Sequence, residues 1–116
     1  MRQKQREEAV RRMGAFVQVA RLDDIAPGEL LRVEVAGRLV CLANVDGDIY
    51  AVDDDCTHIS GPLDQGELEG CVLTCPLHLA RFDVRTGQVL RGPAREDLPT
   101  YAVRIEDGAI YVAEPE

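Results

Sequence analysis

Two short motifs, Cys56-Thr57-His58 and Cys75-Pro76-Leu77-His78, constrain this chain more than any other feature. They stand 16 residues apart, from Ile59 to Thr74. Each supplies one soft thiolate and one imidazole. Together they use both histidines and two of the four cysteines of a 116-residue protein. A two-Cys, two-His set points to metal, and a fold built on it must bring two separate loops to one place.

Two chemistries accept such a set. Tetrahedral zinc takes S2N2 coordination and uses it structurally. A [2Fe–2S] cluster takes it when both thiolates bind one iron and both imidazoles the other. Zinc fingers keep the Cys pair together and the His pair together. Here each motif is mixed, Cys first and His second. Two equivalent loops approaching from opposite sides would put both sulfurs at one end and both nitrogens at the other. That arrangement suits two differently ligated irons better than one tetrahedral ion.

The pattern C-x-H…C-x2-H resembles the Rieske iron–sulfur signature. Residues 75–90, CPLHLARFDVRTGQVL, resemble the second cluster loop and following hairpin of bacterial Rieske-type ferredoxins, which feed electrons to ring-hydroxylating dioxygenases. Gly92-Pro93-Ala94 resembles the proline loop that covers the cluster in that family, and 101–112 its terminal hairpin. The resemblance covers roughly residues 15–116. One position departs from it: Leu79 stands where such ferredoxins commonly carry Gly.

That resemblance implies a [2Fe–2S] cofactor with Cys56 and Cys75 on the inner iron and His58 and His78 on the exposed outer one. It also implies transient docking to a ferredoxin reductase and a terminal oxygenase, with the chain acting as a monomeric carrier and not itself an enzyme. High-potential respiratory Rieske proteins brace their loops with a disulfide and place Ser and Tyr hydroxyls near the cluster sulfurs. Gly61 and Leu77 occupy the disulfide positions here, Ala80 the Ser position and Phe82 the Tyr position. Fewer donors to the sulfurs imply a potential at the low end of the Rieske range.

Composition narrows the partners. The net charge is −8, although the first fourteen residues hold five Arg/Lys against two Glu. The rest of the chain is thus more acidic still. Nucleic acid is an unsuitable partner, because phosphate neutralisation needs clustered Lys and Arg. A basic docking partner suits an acidic globule. Asp53-Asp54-Asp55 runs straight into Cys56, so negative charge is expected beside the first loop.

Residues 1–14 read as a charged extension and 15–116 as one domain. The first residues lack the apolar core of a signal peptide. The stretch after Arg11-Arg12 is interrupted too soon by Arg21, Asp23 and Asp24 for a twin-arginine signal. No apolar stretch approaches the ~20 residues of a membrane span. A cytoplasmic location is therefore expected. A reducing cytoplasm argues against a Cys41–Cys71 disulfide. Both thiols sit in apolar runs and read as core residues.

From Phe16 onward the pattern is β. Ala36-Gly37, Asp46-Gly47, Thr86-Gly87 and Asp107-Gly108 punctuate runs rich in Val, Leu, Ile and Tyr. Strands are predicted over 16–19, 30–35, 39–45, 49–52, 71–74, 81–83, 88–90, 101–106 and 109–113, with a brief turn or helix in 23–29. The fold class is all-β, a small antiparallel sandwich or barrel. Both motifs fall in loops, 56–64 and 75–80, which would form the cluster-binding subdomain. The alternatives are a small redox subunit of a nitrite-reductase-like complex, against which the intact ligand motifs count, and a structural zinc-binding module.

Overall fold

The computed structural model describes residues 15–54, 62–76, 80–92 and 96–114. Its strands are β1 (Phe16–Arg21), β2 (Leu30–Val35), β3 (Arg38–Val45), β4 (Asp48–Asp53), β5 (Glu67–Glu69), β6 (Val72–Thr74), β7 (Arg81–Asp83), β8 (Val89–Arg91), β9 (Thr100–Tyr101), β10 (Val103–Glu106) and β11 (Ala109–Ala113). They form three sheets, ordered β1-β11-β10, β2-β3-β4-β9 and β5-β6-β7-β8, with every pairing antiparallel. The all-β expectation holds. No helix among the described residues is long and apolar enough to cross a membrane.

The β2-β3-β4-β9 sheet is the middle layer. Side chains alternate across a strand. Val40 and Leu42 of β3 and Ala51 of β4 therefore pack toward Ile110 and Val112 of β11. Cys41, Ala43 and Val52 point the other way, into a second core with Leu73, Phe82 and Val84. Strand β3 is buried at five consecutive positions, Val40 to Asn44, as a strand covered on both faces must be. Asn44 is the polar member of that run. Its Nδ2 donates to the Ile25 carbonyl at 2.9 Å, and its Oδ1 accepts from the Gly47 amide at 2.7 Å.

Three hairpins close through two-residue turns with both residues at positive φ: Ala36 (50°) and Gly37 (82°), Asp46 (52°) and Gly47 (98°), Asp107 (50°) and Gly108 (77°). This is the type I′ geometry that matches strand twist. Gly87 is held for a second reason. A Cβ there would lie 2.1 Å from the Leu98 carbonyl oxygen. The Leu98 amide also donates to the Gly87 carbonyl at 2.7 Å, which ties the 83–88 turn to the returning chain.

Several boundaries differ from the sequence pattern. The predicted 101–106 strand is two strands that belong to different sheets: Tyr101 pairs with Ala51 of β4, and Val103 with Val112 of β11. Strand β5 and the 3-10 turn Leu63–Gln65 were not expected, because Glu67-Leu68-Glu69 offers one apolar residue between two acids. The turn expected in 23–29 is present around Pro27, where the Glu29 amide donates to the Ala26 carbonyl at 2.9 Å, and a 3-10 turn over Leu22–Asp24 precedes it.

Ala36 is the one turn-opening residue with neither an Asx side chain nor glycine's freedom. Replacing it with Asn should stabilise the protein by roughly 0.5–1 kcal/mol, since a non-Gly, non-Asx residue pays a steric cost in the left-handed region. Denaturant midpoints of the wild type and Ala36→Asn measure this. A lowered midpoint would contradict the turn assignment.

Candidate metal centre

The second loop grows out of the β6–β7 hairpin. Leu73 pairs with Phe82 and Thr74 with Arg81, and the Cys75 amide extends that ladder by donating to the Ala80 carbonyl at 2.8 Å. This bond closes the loop at its base. Cys75 is fully buried and shares that second core with Leu63, Leu73, Ala80 and Phe82. Ala80 and Phe82, expected to leave the cluster without nearby hydroxyls, are thus two fully buried apolar side chains.

The first loop leaves the end of β4. Asp54 marks its near foot and Pro62–Gln65 its far one. The Leu63 amide donates to the Asp54 carbonyl at 3.2 Å, and the Asp64 amide donates to Asp54 Oδ1 at 2.8 Å. Both feet of the first loop are therefore joined directly. The far foot also abuts the second loop's base. A Cβ on Gly66 would lie 2.1 Å from the Thr74 carbonyl oxygen, immediately before Cys75. Only glycine permits that approach.

Of the four expected ligands, Cys75 is placed. Cys56, His58 and His78 lie outside the described residues, as do Gly61, Leu77, Leu79, Pro93 and Ala94. Among the described residues no group of three or more His, Cys, Asp and Glu could hold a metal ion. What they present is a fully buried thiol at the foot of one loop, with the other loop's foot packed on the same core. This donor chemistry fits an iron–sulfur cluster, whose thiolate ligands are soft.

The acidic run before Cys56 is less bare than its sequence indicates. Asp53 accepts from the Tyr101 hydroxyl at 3.0 Å, and Arg38 lies 3.9 Å away. Asp54, 1% exposed, accepts from Arg32 Nε at 2.6 Å. Burial pushes the Asp54 carboxyl above its ordinary range, while the Arg32 and Asp64 amide hydrogen bonds pull it down. Burial, followed by the contact with Asp53, raises the Tyr101 hydroxyl. Arg32, Asp64 and Tyr101 escaped the sequence reading. Arg32 looks like an outward-facing residue of an alternating strand, and nothing local marks its partner 22 positions on.

The spare thiols divide. Cys41 is fully buried and its thiol is pushed well up by that burial, the state of an inert core residue. Cys71, expected as a core residue too, is only half-buried against the same core. Its position at the turn into β6 leaves one side open.

Comparison with known proteins decides the metal chemistry. The chain is 45% identical over 92 residues to the ferredoxin component of naphthalene 1,2-dioxygenase/salicylate 5-hydroxylase systems of Ralstonia sp, covering 79% of this chain and 88% of the relative. The structure superposes on the ferredoxin of carbazole 1,9a-dioxygenase from Nocardioides aromaticivorans IC177 with a TM-score of 0.84 and 33% identity, covering 86% of this chain and 98% of that one. It also matches a chain in the complex of reduced oxygenase and oxidised ferredoxin in carbazole 1,9a-dioxygenase (TM-score 0.82, 33% identity, 87% of this chain and 95% of that one). The model of the Rieske [2Fe-2S] domain matches residues 15–102, a span that contains both Cys/His motifs. The cofactor is accordingly a Rieske-type [2Fe–2S] cluster, not zinc, and the chain belongs to the Rieske [2Fe-2S] domain family.

Proposed function

We propose that this chain is the ferredoxin of a multicomponent aromatic-ring oxygenase system, carrying single electrons from a reductase to a terminal oxygenase in the cytoplasm. The observation that carries this reading is the extent of the match. The chain covers 88% of a dioxygenase-system ferredoxin in sequence, and 98% of a carbazole dioxygenase ferredoxin in structure at a TM-score of 0.84. A ferredoxin of this fold occurs in complex with its oxygenase in the carbazole system, which supports direct docking. The family match spans 15–102 and β11 pairs with β1, which together support reading 1–14 as an extension and the domain as running on through the last hairpin.

Cys56 and Cys75 are the proposed ligands of the inner iron, and His58 and His78 those of the outer iron. The complete burial of Cys75 supports its inner position. When bound, the cluster supplies a one-electron couple, and Rieske potentials span roughly −150 to +300 mV. The residues around it set where in that span it lies. Ala80 and Phe82 surround Cys75 with apolar atoms, which favours the less charged, oxidised state.

Low-temperature EPR before and after dithionite, with iron and zinc measured on the same sample, tests the assignment. A silent oxidised protein that gains a rhombic signal with a low average g value is expected. Cys56→Ser and His78→Ala should lose the cluster and its colour. A fully coloured, stable His78→Ala protein would remove that residue from the ligand set.

Ala80→Ser and Phe82→Tyr each add a hydroxyl beside Cys75 and should raise the midpoint potential. A hydrogen bond worth about 1 kcal/mol more to the reduced state corresponds to about 40 mV in a one-electron couple. Spectroelectrochemical titration reads the shift. Unchanged potentials in both variants, with intact clusters, would show that neither hydroxyl reaches a sulfur.

A further inference from the structure

The first ligand loop carries no covalent brace between its described feet, yet those feet are joined by a compact ionic node. Arg32 projects from β2, and its Nε donates to Asp54 Oδ2 at 2.6 Å. Its Nη2 lies 3.2 Å from Asp64 Oδ1, an ion pair without hydrogen-bond alignment. One guanidinium therefore spans a carboxylate at each foot of the loop. Asp54 holds the node together. Its side chain is 1% exposed, its second carboxylate oxygen accepts from the Asp64 amide, its carbonyl accepts from Leu63, and its own amide donates to Leu39.

We propose that Arg32 is a positioning residue for the cluster: by clasping Asp54 and Asp64 it fixes the separation of the two ends of the first ligand loop. The inference rests on the reading that Cys56 and His58 are ligands within that loop. The physical argument is one of leverage. Cys56 stands two residues beyond Asp54, so the spacing of the feet bears directly on a ligand at that position. Joining loop ends also removes closure entropy that would otherwise oppose ligation. Without Arg32, Asp54 is a buried carboxylate facing the Asp64 carboxylate with no cation between them. Leaving that buried carboxylate uncompensated destabilises the closed arrangement of the feet. The effect reaches the second loop, because Gly66 lies against the Thr74 carbonyl and Leu63 packs in one core with Cys75.

Two features make Arg a better clasp than Lys. The planar guanidinium offers donors fixed in a fork, so it engages two acceptors at once. A single ammonium at the end of a flexible stem reaches one carboxylate at a time. Arg32 itself is 42% exposed, so the node admits water on the arginine side while Asp54 stays dry.

The test uses the purified holoprotein and its Arg32→Ala, Arg32→Lys and Ile110→Val variants. Iron release into a ferrous chelator is timed at a fixed temperature. Thermal midpoints and EPR of freshly reduced samples are recorded alongside. Ile110 is buried in the core shared with Val40 and Leu42, on the far side of the middle sheet, so its truncation lowers global stability without touching the node. Arg32→Ala should release iron about tenfold faster than wild type, with Arg32→Lys in between and Ile110→Val close to wild type. Release from Arg32→Ala at the wild-type rate, or no faster than its thermal midpoint predicts from Ile110→Val, overturns the clasp. If Arg32→Ala fails to fold, the same comparison is made with Arg32→Lys. A wild type that shows no Rieske-type signal after reconstitution overturns the ligand reading, and the clasp with it. A wild-type signal with unaltered release in the variants overturns the clasp alone.

Discussion

Because side chains alternate along a strand, the two halves of this molecule are coupled through β3. Val40 and Leu42 belong to the core shared with β11, while Cys41 and Ala43 belong to the core shared with β6 and β7. A strand in this position has no solvent face, so a polar residue within it must be satisfied internally. Asn44 meets that condition through Ile25 and Gly47. The β6–β7 hairpin thus stands on a sheet that is itself braced from behind. The thiol of Cys75 is presented at the end of a supported ladder and not by a free loop.

The feet of the two loops that carry the proposed ligands converge by close backbone approach and by charge. Gly66 lets one chain pass against the Thr74 carbonyl, and a side chain there would force the loops apart. Arg32 gathers two carboxylates, one at each foot of the first loop. The same contacts soften the field of the acidic run. Asp53 and Asp54 each have a cation or a hydroxyl partner, so the negative charge beside the first loop is partly offset. The expected low potential rests on the absence of hydroxyl donors at Ala80 and Phe82.

The hairpins were legible because their chemistry is local. Asp46-Gly47 and Asp107-Gly108 specify positive φ at two successive residues, and the flanking strands are paired as a result. The run Leu39 to Val45 was legible as a strand, though not as one buried on both faces. Glu67-Leu68-Glu69 was not legible, since a short edge strand with two acids has no apolar alternation. Nor was the break at Ala102. Tyr101 and Val103 are equally good strand residues, and only their partners, β4 and β11, assign them to separate sheets.

The amino-acid sequence by itself determined the family, the cofactor and the all-β class. A [2Fe–2S] cluster with mixed ligands requires particular donor atoms at particular spacings, and the chain offers a matching set in the proposed ligands Cys56, His58, Cys75 and His78. The tertiary structure decided which polar residues are partners. Arg32 and Asp54 are 22 positions apart, and Asp53 and Tyr101 are 48 apart. Neither pair has a local signature, because an ion pair or hydrogen bond depends on distance in space, and that distance is set by how β2, β4 and β9 lie side by side in one sheet.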